Sequence, residues 1–201
     1  MFPKSVKTWL VVVAIAIGGW YFVHQRTLER RMLASGPVGE APVQESTREK
    51  AFDVGGFRIQ PVASYDIRAK VLSTERYRMG REAELSPVDF ALGWGPMSDQ
   101  TVLSQLQISQ GGRWYEYRWH NQPPIGPDMI ARHSANTHLI PANGSVKIDL
   151  LNVERGQVVH LKGMLVNVEH SDGWKWRSST TRDDTGSGSC ELMWVTEVVV
   201  E

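Results

Sequence analysis

Cysteine is nearly absent: Cys190 stands alone among 201 residues. No intrachain disulfide is therefore available, and the fold must be held by packing even in an oxidising compartment. The six histidines show neither HxH nor HExxH spacing, which removes the common zinc sites, and no cofactor site is expected. Net charge is also lacking, with 22 basic and 22 acidic residues. That balance is uneven along the chain. Residues 1–51 hold 7 Lys and Arg against 4 Asp and Glu, leaving 15 against 18 for residues 52–201. A globular part with a net charge of −3 lacks the basic excess of a phosphate-backbone binder, so nucleic acid is not the expected partner.

One apolar run is present, Thr8 to Val23, sixteen residues without a charge. As a helix it covers roughly 24 Å, short of the roughly 30 Å hydrocarbon core, so it would span only with snorkelling ends or a thinned bilayer. Lys4 and Lys7 before it, His24 and Arg26 after it, and Trp9, Trp20 and Tyr21 at its borders suit that arrangement. The charged HQRTLERRM that follows does not read as a signal-peptidase site. Residues 1–33 are accordingly expected to be an uncleaved signal anchor and its flanks, a single-pass transmembrane helix. The amino end is placed in the cytoplasm, because long domains translocate largely regardless of charge.

Residues 34–51, rich in Gly, Pro, Ser and Glu, read as a flexible stalk. Residues 52–201 form one mostly β domain, a small barrel or sandwich with one short helix. Tyr65 to Tyr77 alternates Ile67, Ala69 and Val71 inward against Arg68 and Lys70 outward. Gly156 to Glu169 is the clearest strand, with Gly163 marking a bulge or bend, and Cys190 to Val200 ends the sheet. Asn143-Gly144 predicts a hairpin turn between His138–Ile140 and Val146–Leu150, and Ser98 predicts a cap on a helix over Asp99 to Ile108.

Two aromatic clusters stand out on strands whose faces alternate. In Trp114-Tyr115-Glu116-Tyr117-Arg118-Trp119-His120 and Trp174-Lys175-Trp176-Arg177, rings on both faces cannot all enter one core. Trp114, Arg118, Trp119, Trp174, Trp176 and Arg177 are thus the expected ligand-binding residues, stacking and cation–π platforms for a protein or glycan partner in the cell envelope. Asp184-Thr185-Gly186-Ser187 copies an aspartic-protease tetrapeptide, but charged Arg182 and Asp183 precede it and only seventeen residues follow Asp184. A glycine-rich turn is the better reading, and Asp183, Asp184 and Glu191 lack the alternating spacing of a calcium loop.

GQVVHLKGMLV (residues 156–166), bent at its glycine, resembles the opening strand of an oligonucleotide/oligosaccharide-binding (OB) barrel. The order of anchor, stalk and β domain resembles sortases, which implies a cysteine enzyme using Cys190 with a histidine, His138 or His160, as base. Arg182 would have to stand where sortases place a later arginine. ANTHLIPA (135–142), residues 156–166, WKWRSS (174–179) and RDDTGSGSCE (182–191) together resemble a family of small bacterial single-pass membrane-anchored proteins with no assigned activity. That resemblance implies a bacterial inner-membrane protein, its domain periplasmic, and transfers no catalytic residue. The primary expectation is a non-enzymatic recognition or scaffold domain, with an oligonucleotide-binding barrel facing the cytoplasm as a further alternative.

Overall fold

A computed structural model describes residues 4–34, 36–181, 186 and 188–201. The chain is mainly β. Helix α1 (Lys4–Ala34) is followed by strands β1 (Val43–Glu45), β2 (Phe52–Val54) and the long β3 (Phe57–Arg76). Next come α2 (Arg81–Leu85), β4 (Val88–Gly93), a 3-10 turn over Gly95–Ser98 and α3 (Gln100–Leu103). The hairpin β5 (Gln107–Gly111) and β6 (Trp114–Arg118) leads to α4 (Pro127–Arg132), β7 (Ser134–Pro141) and α5 (Gly144–Asn152). Strands β8 (Val158–His170), β9 (Lys175–Trp176) and β10 (Glu191–Val200) complete the fold.

Five strands close on themselves in the order β3-β4-β7-β10-β8, and β8 returns to β3 over thirteen registered residue pairs. Every contact in that ring is antiparallel except β7 with β10, which run parallel. Closure follows from the length and bend of β3, whose first part pairs with β8 and whose last part, Lys70 to Arg76, pairs with β4. Its inward row matches the alternation in the sequence, with Tyr65, Ile67, Ala69 and Val71 buried among Phe90, Leu139, Leu161 and Met193. Lys70, expected outward, is also buried, because Leu72 of its own strand sits under a second layer. Val38 and Trp94 plug one end of the ring, and Leu150 of α5 and Val153 just after it fill the other.

Several local expectations give way to tertiary context. Asn143 does not turn a hairpin but caps α5, its side chain accepting from Val146 N at 3.0 Å. VKIDLL alternates, yet Val146 and Leu150 are four apart, and burial of that helical face decides the conformation. The helix expected over Asp99 to Ile108 shrinks to α3, capped by Asp99 rather than Ser98, since Gln107 and Ile108 are taken by the hairpin. The segment read as a free stalk, 34–51, lies along the barrel. Val38 is fully buried, donates to Ser98 Oγ at 2.7 Å and accepts from Gly95 N at 2.6 Å, while β1 pairs with Ser64 to Asp66.

Among the described residues no helix is long and apolar enough to cross a membrane, so the transmembrane span expected within 1–33 is not supported. Over residues 9–23, α1 shows an apolar surface on every side. Trp9 to Val13, Ile15, Ile17 and Trp20 to Val23 are all exposed.

Candidate functional site

The β5–β6 hairpin turns through Gly112 and Arg113 at φ +58° and +71°, a two-residue turn that forces a non-glycine into the left-handed region. The Arg113 guanidinium is thereby tucked against the barrel. It lies 3.7 Å from the centre of the Tyr77 ring and 5.3 Å from Trp176, and donates to Asp89 Oδ1 at 2.6 Å and Ser86 O at 2.9 Å. Asp89, on the outward face of β4, has no exposed side-chain surface, and its other oxygen meets His138 Nδ1 of β7 at 2.8 Å. The His138 ring packs on Trp176 at 4.8 Å. Tyr77 closes the cluster by accepting from Arg113 N at 2.9 Å, and burial followed by the nearby Asp89 carboxylate raises its phenol above the ordinary pKa. The arrangement pins the hairpin tip to the ring and covers the outward face of β4 and β7.

At the margin of that cover lies a cleft of about 270 Å³. Trp114 and Tyr117 of β6 form one wall, Ala131 and Ser134 another, and Asn136, Gly186, Ser189 and Cys190 line the rest. Local alternation explains the aromatic wall: Tyr115 and Tyr117 turn toward Leu72, Met97 and Ile130, while Trp114 stays 46% exposed at the rim. Tyr115 contacts Ser134 Oγ at 3.4 Å, and burial raises its phenol well above the usual range. Asn136 is held from two sides, accepting from Gln110 Nε2 at 2.7 Å and donating to Arg113 O at 3.1 Å. No charged side chain lines this cleft among the described residues.

The parallel pairing of β7 and β10 brings Cys190 beside Asn136, whose Nδ2 is 3.7 Å from the sulfur, and the thiol points to Arg113 O at 3.9 Å. An amide and a carbonyl acceptor suit a neutral thiol. His160 cannot serve it: that ring is held by Asp66 at 2.6 Å and registers with Val199, about 30 Å along β10 from Cys190 at strand rise. His138 is engaged by Asp89 and Trp176. Arg182, Asp183 and Asp184, which entered the sortase, protease and calcium comparisons, lie outside the described residues. Glu191 is buried at the start of β10, and among the described residues no group of three or more His, Cys, Asp or Glu is placed to hold a metal.

The six expected ligand residues do not form one platform. Trp114 is on the cleft. Arg118 is exposed and paired with Glu116 at 3.1 Å, whereas Trp119 packs on the cluster of Leu72, Met97 and Ile130. Trp174 and Trp176 belong to another cluster, with ring centres 6.0 Å apart and Trp174 packed on Phe57. Arg177 is exposed with Glu169 at 3.7 Å and borders a more open, polar groove of about 500 Å³ between β1 and residues 177–180. Trp119, Trp174 and Trp176 are packing residues because the ring carries a second layer on its outside, which strand alternation alone does not reveal. Ser134, Asn136 and Ser189 were not anticipated, since nothing local marks them. Comparison of the chain with protein families, curated proteins and solved structures finds no match.

Proposed function

We propose that this chain is a non-enzymatic recognition domain, attached to the bacterial inner membrane through α1 with its barrel on the periplasmic side, whose Trp114 cleft takes a neutral sugar unit of an envelope glycan. The observation carrying the ligand class is the lining: an exposed indole and a phenol beside amide and hydroxyl groups, with no described charge. A flat ring with apolar C–H faces and a belt of hydroxyls matches such a surface. The volume admits about one ring. Strand order lends support, because a five-stranded ring with one parallel contact and a helix between its third and fourth strands, here β7 and β8, resembles the OB barrel, a fold that binds oligonucleotides and oligosaccharides. In this chain the outward face of the second and third ring strands is filled by Arg113, Tyr115 and Trp176, leaving the cleft at its edge. Nucleic acid fits less well, given the negative balance of residues 52–201.

Titrating the detergent-solubilised chain with methyl hexosides is expected to give a saturable tryptophan fluorescence change. Trp114→Ala should weaken it about tenfold or more while leaving the circular dichroism unchanged. An unaltered affinity in that variant would reject the site.

Membrane attachment is supported by the apolar surface of α1, which has to be covered by lipid or protein. The full chain is expected to stay with the membrane pellet through an alkaline carbonate wash, and a chain lacking residues 1–33 to appear in the supernatant. Recovery of the full chain in the soluble fraction would contradict it.

A further inference from the structure

Resting on that reading, the groups that line the cleft narrow its ligand: we infer that it takes a 2-acetamido sugar, recognised by its acetyl group, in preference to a plain hexose. Most of the polar lining is already committed within the fold. Asn136 Oδ1 accepts from Gln110 Nε2, and its Nδ2 donates to Arg113 O. Ser134 Oγ donates to Ile130 O at 2.7 Å with the Tyr115 hydroxyl 3.4 Å away, and Ser189 Oγ donates to Gly186 O at 2.7 Å.

Two lining groups are not so engaged. Among the described residues, neither the Trp114 indole N–H nor the Tyr117 hydroxyl has a hydrogen-bond partner in the protein, although both side chains line the cleft. An indole N–H only donates and a phenol donates readily, so the cleft offers donors to a ligand that brings an acceptor. The rest of its surface is small and apolar. Ala131 of α4, Ala135 of β7 and Cys190 just before β10 line it, the thiol turned to Arg113 O at 3.9 Å. An acetamido group carries what both parts call for, a carbonyl oxygen to accept and a methyl to bury. A hydroxyl in its place supplies the acceptor but leaves the apolar corner wet. A free amine there is worse, because no charged side chain lines the cleft among the described residues to balance it.

The test compares the methyl glycosides of glucose, N-acetylglucosamine and glucosamine by tryptophan fluorescence of the full chain in detergent. The acetamido glycoside is expected to bind about tenfold or more tighter than the glucoside, the worth of one methyl in an apolar site, with the amino glycoside weakest. Tyr117→Phe keeps the ring and loses only the hydroxyl, and Ala131→Leu fills the apolar corner from the surface of α4. Each is expected to reduce the preference to about threefold or less, with the circular dichroism and the glucoside affinity unchanged. Equal affinity for the acetamido and plain glycosides, or a preference that either variant retains in full, would overturn the inference while saturable glucoside binding upholds the sugar site. Absence of binding by all three glycosides would instead reject the site itself.

Discussion

Replacing Arg113 with alanine is expected to lower the stability of the domain by about 3–5 kcal/mol, the range for removing one partner of a buried ion pair. The magnitude follows from what is left behind. Asp89 is fully enclosed, and its Oδ1 loses the 2.6 Å bond from the guanidinium while Ser86 O loses its donor. Tyr77 and Trp176 lose the cation between their rings. Arg113→Lys should fall between, because an ammonium reaches Asp89 but has no planar fork to serve Ser86 or to lie flat on Tyr77. Arg113→Gly isolates the backbone contribution: it removes the same pair but relieves the left-handed conformation at φ +71°, so it should be about 1 kcal/mol more stable than the alanine variant. Urea unfolding of the detergent-solubilised proteins measures all three, and an alanine variant within about 0.5 kcal/mol of the parent would mean that the hairpin tip is not held as described.

Gly163→Ala is expected to be the most disruptive single methyl in the chain, costing about 3 kcal/mol or more. A Cβ there would lie 1.9 Å from Trp194 O and 2.9 Å from Trp194 C, both backbone atoms of the adjoining β10. No side chain can swing aside to make room. The strands themselves would have to part next to the register shift between Val195 and Glu197. Gly144→Ala provides the control, since nothing lies within 4 Å of its added methyl and the site opens α5. Thermal unfolding should place Gly144→Ala at or above the parent and Gly163→Ala many degrees below; coincident midpoints would show that β8 and β10 yield easily and that closure is not constrained there.

Gly163 was legible because a glycine inside a long apolar alternation has few uses other than a close backbone approach. The inward row of β3 and the two faces of β6 were readable because one side of each is more buried than the other, and β8 and β10 because each is a long apolar run, with Met193 and Val195 of β10 in the ring interior and Leu192 and Trp194 in the layer outside it. Strand β4 went unread. VDFALG is buried on both sides, between the ring interior and the layer of Met97, Leu103 and Ile130, so it carries no period to detect. The 34–51 segment misled because its anchoring is mostly backbone hydrogen bonding and one valine, neither of which composition reports. Trp114 and Cys190 were each singled out, yet their meeting depends on the parallel contact of β7 and β10 and on a hairpin folded over the ring. Those are long-range events. Arg113, the residue that fixes the hairpin, stands just before the Trp114–His120 cluster that contains Arg118, and only the two-residue turn decides which of the two arginines faces inward.

The most direct measurement is a nitrogen-15 correlation spectrum of the full chain in detergent micelles, recorded while a methyl hexoside is added. The indole signal of Trp114 and the side-chain amide of Asn136 are expected to move together and saturate at millimolar ligand, while the indoles of Trp119, Trp174 and Trp176 stay in place. Saturable shifts at Trp174 and Trp176 with Trp114 unmoved, or no saturable shift at all, would contradict a sugar site in this cleft.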